Sequence, residues 1–193
     1  MELNHFMLWH NPKGLNTKYS TSVLKMAQMH QKWDRVLELV FEYPNQKFTI
    51  REISKRTKIP SSSVQRYLEE LRKEGVITKE NRLIVTPYFK FKKAFFIIDR
   101  LFKIGLIDYL ESNLTPSVII VFGSARKGEY EKESDIDLFV ESSVKKELNL
   151  KKFEKNLGHN IQLFIESDIN KLHSNLRNNI INGIKLNGYL KVG

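Results

Sequence analysis

Cysteine is absent from this chain of 193 residues. That absence excludes a disulfide framework, thiol catalysis and any zinc or iron–sulfur site built on thiolates. Long apolar runs are missing too, and no stretch approaches the ~18 consecutive apolar residues of a membrane span. The opening Met1-Glu2-Leu3-Asn4-His5 carries an acid where a secretory leader carries bases, and no apolar block with a small-residue cleavage site follows. The expectation is a soluble, cytoplasmic chain with no membrane partner. His5, His10, His30, His159 and His173 have no metal-ligand spacing, and His159 is expected at the surface. No Walker-type loop and no G-x-S-x-G elbow is present.

Acidic residues are the minority, 22 against 32 Lys and Arg, for a net charge of +10. The surplus is local. Residues 1–112 hold 20 basic and 12 acidic side chains, residues 113–193 hold 12 and 10, and residues 45–93 alone hold 13 and 5. A concentrated basic surplus suits a polyanion, because cations that neutralise phosphates release condensed counterions.

Residues 1–32 are weakly patterned and are expected to form an N-terminal arm, with a turn at Asn11–Gly14 and a helix start at Tyr19–Ser22. From Trp33 the apolar residues Val36, Leu37, Leu39, Val40 and Phe41 recur at helical spacing until Tyr43-Pro44-Asn45 stops them. Thr49 and Glu52 form a capping-box pair at the start of a second helix. Ile59-Pro60-Ser61-Ser62-Ser63 reads as a turn and N-cap before a third helix that ends at Gly75. Val76–Thr78 and Arg82–Thr86 are expected to form two strands around Lys79-Glu80-Asn81. Residues 88–112 are expected to form one continuous helix, too apolar for a single face, that either packs between two halves or supports a homodimer.

The stretch FTIREISKRTKIPSSSVQRYLEELRKEGVI resembles winged helix-turn-helix DNA-binding domains. The resemblance implies a unit over 33–87 with a recognition helix from Ser62 to Lys73 in the major groove of double-stranded DNA. Ser61, Ser62 and Ser63 suit phosphates there, Gln65 and Arg66 reach base edges, and Lys79 and Arg82 flank the duplex with Lys55, Arg56 and Lys58.

The second half carries the chemistry. Val118–Phe122 is a β-branched run expected to be a buried strand, and it leads into Gly123-Ser124. Asp135-Ile136-Asp137 follows, and residues two apart in a strand face the same side, so two carboxylates share one sheet edge. Such a pair repels unless a hard cation such as Mg²⁺ sits between them, and Mg²⁺ is commonly held by carboxylates together with substrate phosphates. Gly123 permits close backbone approach, and Ser124 can bond a phosphate. Arg126 and Lys127 are read as further phosphate contacts or as solvated loop charges.

The segment FGSARKGEYEKESDIDLFV resembles the polymerase-β-like nucleotidyltransferases, most of all the minimal ones that include antitoxin members paired with HEPN-type toxins. The resemblance implies a mixed sheet over 113–193, with strands at 118–122, 136–140 and 160–165 and helices near 145–156 and 168–183. It implies that Asp135 and Asp137 are catalytic and bind Mg²⁺ or Mn²⁺, and that Gly123 and Ser124 bind an NTP, with ATP favoured. Active members supply a third carboxylate from the next strand, where this chain has Gln162, an amide that cannot act as a base. Glu166 shares the in-strand parity of Gln162 but is expected to lie too far along.

The whole reads as an α+β protein, a winged helix-turn-helix joined through 88–112 to a small mixed-sheet nucleotidyltransferase domain. Two functions follow as expectations. One is nucleotide transfer to a protein or nucleic-acid acceptor by a DNA-binding enzyme. The other is a DNA-binding regulator or antitoxin whose second domain only binds nucleotide or a partner.

Overall fold

The computed structural model describes residues 21–191, with side chains from Gln31 onward. Residues 1–20 of the expected arm lie outside the described residues. The rest of the arm is helical, because α1 runs Thr21–Glu42 and begins at the Tyr19–Ser22 stretch.

Helix α1 packs on α2 (Ile50–Thr57) and α3 (Ser61–Lys73) around Val36, Val40, Phe41, Ile53, Val64 and Leu68. The capping box is present: the Glu52 amide donates to Thr49 Oγ1 at 3.2 Å and the Thr49 amide donates to Glu52 Oε2 at 2.7 Å. No serine caps α3. Pro60 holds the N-cap position without a side-chain bond, so Ser61, Ser62 and Ser63 form the first turn itself. The ribbon is shorter than its strand propensity predicts, with one bridge, Ile77↔Leu83. Thr86 ends it early by accepting from the Phe89 amide at 3.0 Å and so capping α4 (Pro87–Lys103).

The apolar run 88–112 is two helices. Gly105 takes a left-handed φ of +74°, its amide bonds Phe102 O at 2.9 Å, and α5 (Leu106–Leu114) starts anew. Leu106, Ile107, Leu110 and Leu114 then join the core of the second half.

That core covers one face of a four-stranded sheet. Its strands are β1 (Val118–Val121), β2 (Ile136–Glu141), β3 (Ile161–Glu166) and β4 (Ile184–Gly188), in the order β3-β2-β1-β4. β1 pairs antiparallel with β2 and β4, while β2 and β3 are parallel, so the sheet is mixed. Alternation along β1 sends Ile119 and Val121 to the core shared with α4 and α5, and Val118 and Ile120 to the opposite face with Ile169 and Ile180. Between strands lie α6 (Gly123–Lys127), α7 (Lys151–Leu157) and α8 (Ser174–Ile181), the last preceded by a 3₁₀ turn at Ile169–Lys171. The predicted helix at 168–183 is thus divided, that near 145–156 begins later, and β4 was not anticipated.

Helix α4 belongs to both cores: Phe89 and Phe96 enter the first, Ile97 and Leu101 the second. Between them Lys93 is 1% exposed, with its Nζ 4.7 Å from the centroid of the buried Tyr130 ring. Burial pulls its amine down to about 8. A lysine less basic when folded is penalised most below that value, and the penalty fades as pH rises towards the ordinary 10.5. Lys93→Met is therefore expected to raise Tm by about 2–5 °C at pH 7. The gain should shrink between about pH 8 and 10.5 in thermal melts across pH. A lower Tm at pH 7 would show that the ring contact outweighs desolvation.

Candidate nucleotide site and nucleic-acid interface

The second half's site forms where β1 ends. Phe122 continues the ladder by donating its amide to Asp137 O at 3.1 Å, and the chain then turns through Gly123 with φ +65°. A Cβ on Gly123 would lie 1.9 Å from Asp137 Oδ2. A side chain at this left-handed position would have to push that carboxylate aside, because the backbone of the turn rests directly on it. Ser124 follows in the first turn of α6, whose leading amides have no intrahelical acceptor. Arg126, half-exposed, and Lys127, exposed, end that short helix. Gly128 closes it at φ +66°, packed so tightly that a Cβ would meet Lys90 O of α4 at 2.0 Å.

Asp137 lies inside β2 and is half-buried, while Asp135, just before the strand, is exposed. Burial, and then the neighbouring Asp135, push the Asp137 carboxyl above its ordinary range. Asp135 accepts from Asn160 Nδ2 at 3.2 Å. Among the described residues, neither carboxylate has a salt bridge. Two adjacent carboxylates without a cationic partner, one of them desolvated, are the donor chemistry of a hard divalent cation. No cluster of three or more His, Asp or Glu suited to a metal occurs among the described residues, so such a cation would draw further oxygens from its ligand.

The parallel register sets Gln162 directly beside Asp137, the position expected of a third carboxylate. Glu166 pairs with Glu141 at the far end of β3, four residues or roughly 13 Å away. Its carboxylate is occupied by the Ser167 amide at 2.7 Å and hydroxyl at 3.1 Å, which hold it below its ordinary range.

His159 is a correction. It is 5% exposed rather than a surface residue. Its Nδ1 lies 2.9 Å from Ser134 O, and its Nε2 lies 3.5 Å from Glu42 Oε1 of α1. Lys132 Nζ donates to the same Glu42 oxygen at 3.0 Å. Burial pushes the Glu42 carboxyl up, but the bonds from His159 and Lys132 prevail and hold it below the ordinary range. Sequence reasoning missed both this cluster and Asn160. The only local signal was the place of His159 and Asn160 just before Gln162.

In the first half, α3 presents Ser61, Ser62, Gln65 and Arg66 to solvent, with Ser63 half-buried. Gln65 Nε2 donates to Glu69 Oε1 at 3.2 Å, and the Arg66 guanidinium stacks 5.5 Å from the Tyr67 ring centroid. Lys79 and Arg82 are exposed at the ribbon tip. Arg72 Nη2 anchors that tip through Asn81 Oδ1 at 2.5 Å, roughly 9 Å along α3 from Arg66. The predicted DNA contacts thus form two groups on one helix-and-ribbon unit.

Comparison with protein families matches residues 103–186 to a nucleotidyltransferase domain and residues 35–78 to a winged helix-turn-helix DNA-binding domain. No curated protein and no solved structure gives a match. The first match starts ten residues before the expected boundary at 113, in keeping with α5 packing into the sheet core.

Gly75 offers a control for the turn, since its φ is +69° with nothing within 4 Å of a would-be Cβ. Gly75→Ala carries the conformational penalty alone, about 1 kcal/mol. Gly123→Ala adds the collision with Asp137 and should lower Tm by clearly more, roughly 5 °C or greater. Equal losses in parallel melts would mean that the carboxylate moves freely.

Proposed function

We propose that this chain, which pairs a winged helix-turn-helix DNA-binding domain with a nucleotidyltransferase domain, transfers a nucleoside monophosphate from an NTP, ATP first, to a hydroxyl of a protein or nucleic acid. The observation that carries this reading is the Gly123 turn resting on Asp137, which brings Ser124, just past the end of β1, beside the start of β2, where Asp135 and Asp137 lie. The acceptor oxygen bonds to the α-phosphorus, the α–β anhydride bond breaks, pyrophosphate leaves and the hydroxyl proton passes to solvent or to a base on the acceptor.

The Gly123 and Ser124 amides and the Ser124 hydroxyl would hold phosphate oxygens. Arg126 and Lys127 would add positive charge at the end of α6. Asp135, steadied by Asn160, and Asp137 would hold Mg²⁺ or Mn²⁺. When bound, the ion neutralises triphosphate charge and favours the attacking oxygen. Gln162 has no ionised oxygen with which to accept the hydroxyl proton.

Gln162 also favours a second reading, in which the domain binds nucleotide without turnover and the chain serves as a DNA-binding regulator. An antitoxin facing a HEPN-type toxin is the form of that reading the sequence suggests. No described helix is long and apolar enough to cross a membrane. A DNA-binding chain of this kind would work in the compartment that holds the DNA, the cytoplasm in a cell without a nucleus.

Calorimetry and labelled-ATP transfer test the site together. The double variant Asp135→Asn, Asp137→Asn should fold and lose Mg²⁺-dependent ATP binding; unchanged affinity would remove the site from consideration. Gln162→Asp should speed transfer of labelled AMP to a genuine acceptor, within the ~10²–10⁴-fold that general-base help supplies. Binding without transfer by either form, across nucleic-acid and protein acceptors, would favour the regulator.

For DNA, gel shifts across a salt series are decisive. Binding should fall steeply with salt. Arg66→Ala should cost about 1–3 kcal/mol and relax sequence preference, while Lys79→Ala should weaken all sequences alike and reduce the salt slope by about 1. Salt-insensitive binding, equal in both variants, would point to a protein-binding winged helix.

A further inference from the structure

Helix α4 has a third face that lies mostly outside both cores, only its Ile98 packing against the sheet core. Tyr88, Phe91, Phe95, Ile98 and Phe102 follow one another at spacings of three and four, so they form a single stripe along the helix. Tyr88 is 55% exposed, Phe91 64%, Phe95 51% and Phe102 46%, and Ile98 is partly buried. The Phe91 and Phe95 rings stack on each other at 6.4 Å rather than turning inward. Ile84 and Val85, just before the helix, add exposures of 36% and 58%. A continuous patch of this size on a folded domain marks an interaction site.

We infer that this stripe is the seam of a homodimer in which α4 pairs with α4 of a second copy. This inference is independent of the nucleotide and DNA readings. Three observations select a second copy of the chain.

The first is the repeat itself. Alternating steps of three and four are the a/d pattern by which one helix inserts knobs into the holes of another, and a second copy carries the matching pattern by construction. Phe95 is the middle position of five, so a twofold axis beside it lets the whole stripe be used twice.

The second is charge. The flank of the stripe carries Lys92 and Lys103, and each is already neutralised within the chain. Lys92 pairs with Glu74, and Lys103 pairs with Asp99 at 2.6 Å and Asp34 at 3.4 Å. Among the described residues this flank of α4 offers a polyanion only Lys92 and Lys103, both in ion pairs, so the aromatics are poorly placed as a base-stacking platform. A second copy with a net charge of +10 can approach here with little like-charge repulsion.

The third is area. At roughly 200 Å² for a whole aromatic residue, the exposed parts of the four rings with Ile84 and Val85 amount to about 600 Å² per copy. Twofold pairing would bury about 1,200 Å², the lower bound of a stable interface.

Sedimentation velocity on the full chain at about 50 μM tests this, because an interface so small is expected to bind in the micromolar range. The wild type should sediment with twice the 22.7 kDa mass of the chain. Phe95→Glu places like charges at the centre of the seam and should weaken dimerisation at least about tenfold, with circular dichroism and melting still cooperative. Because the chain has no cysteine, Phe95→Cys supplies a single thiol. A short bismaleimide should link two copies through it, whereas Ser61→Cys on α3 should not link. A monomeric wild type, or a dimer indifferent to Phe95→Glu, would overturn the seam. So would a wild-type monomer that dimerises on deletion of residues 1–20, which would make that segment the occupant. A monomer that assembles only with a different protein would equally overturn it.

Discussion

A single helix standing in two hydrophobic cores is the constraint from which the rest of the molecule follows. α4 delivers Phe89 and Phe96 to the winged-helix core and, one residue later in the turn, Ile97 and Leu101 to the sheet core. A helix that serves two cores cannot rotate to improve one packing without spoiling the other. Both domains are therefore fixed in angle by its geometry. Gly128 adds a second clamp, since its close approach to Lys90 O leaves no room for a side chain between the end of α6 and α4. The cost of this junction is visible at Lys93, an amine taken out of water over the Tyr130 ring.

The second tie between the halves is polar. Glu42 ends α1, and its buried carboxylate receives Lys132 and faces His159, both from segments that lead into the candidate site. The Lys132 amide also bonds Glu42 O at 3.1 Å, so main chain and side chain are both engaged. From there contacts run through Ser134 O to His159, and Asn160, the next residue, bonds Asp135. A buried carboxylate with two such partners is stable only while both remain, because losing either leaves charge desolvated and uncompensated. Asp135 thus takes its position from a loop that the first domain helps to hold.

The sequence made legible what is local. The Thr49–Glu52 capping box and the stop at Gly75 each depend on neighbours a few residues apart, and each stands as read. Features set by distant partners were hidden. His159 is buried because Glu42, far away in the chain, lies against it, and nothing beside His159 announces that. The break at Gly105 was masked by apolar residues on both sides that serve different cores, which periodicity merges into one helix. β4 escaped because its five residues are mostly exposed and its pairing partner, β1, lies more than sixty residues earlier. At α3 the serines suggested a cap, yet Pro60 already has the extended backbone the N-cap position needs, with φ −55° and ψ 138°.

The charge left at the site decides how a metal ion would be held on the proposed reading. Asp137 is already disfavoured as an anion by burial and by Asp135, so a third carboxylate at Gln162 would deepen that repulsion in the empty protein. Replacing it with an amide relieves the empty state but leaves only two formal negative charges to retain a divalent ion. Mg²⁺ sheds its water reluctantly and binds well when substrate phosphates complete its shell. Two carboxylates beside a turn suited to phosphate therefore favour arrival of the ion together with the triphosphate. On that account the Gly123 turn matters more to affinity here than in a site with three acids, because phosphate contacts must supply what the missing carboxylate does not. The amide at Gln162, which removes a base for proton abstraction, would thus leave the triphosphate to retain the ion.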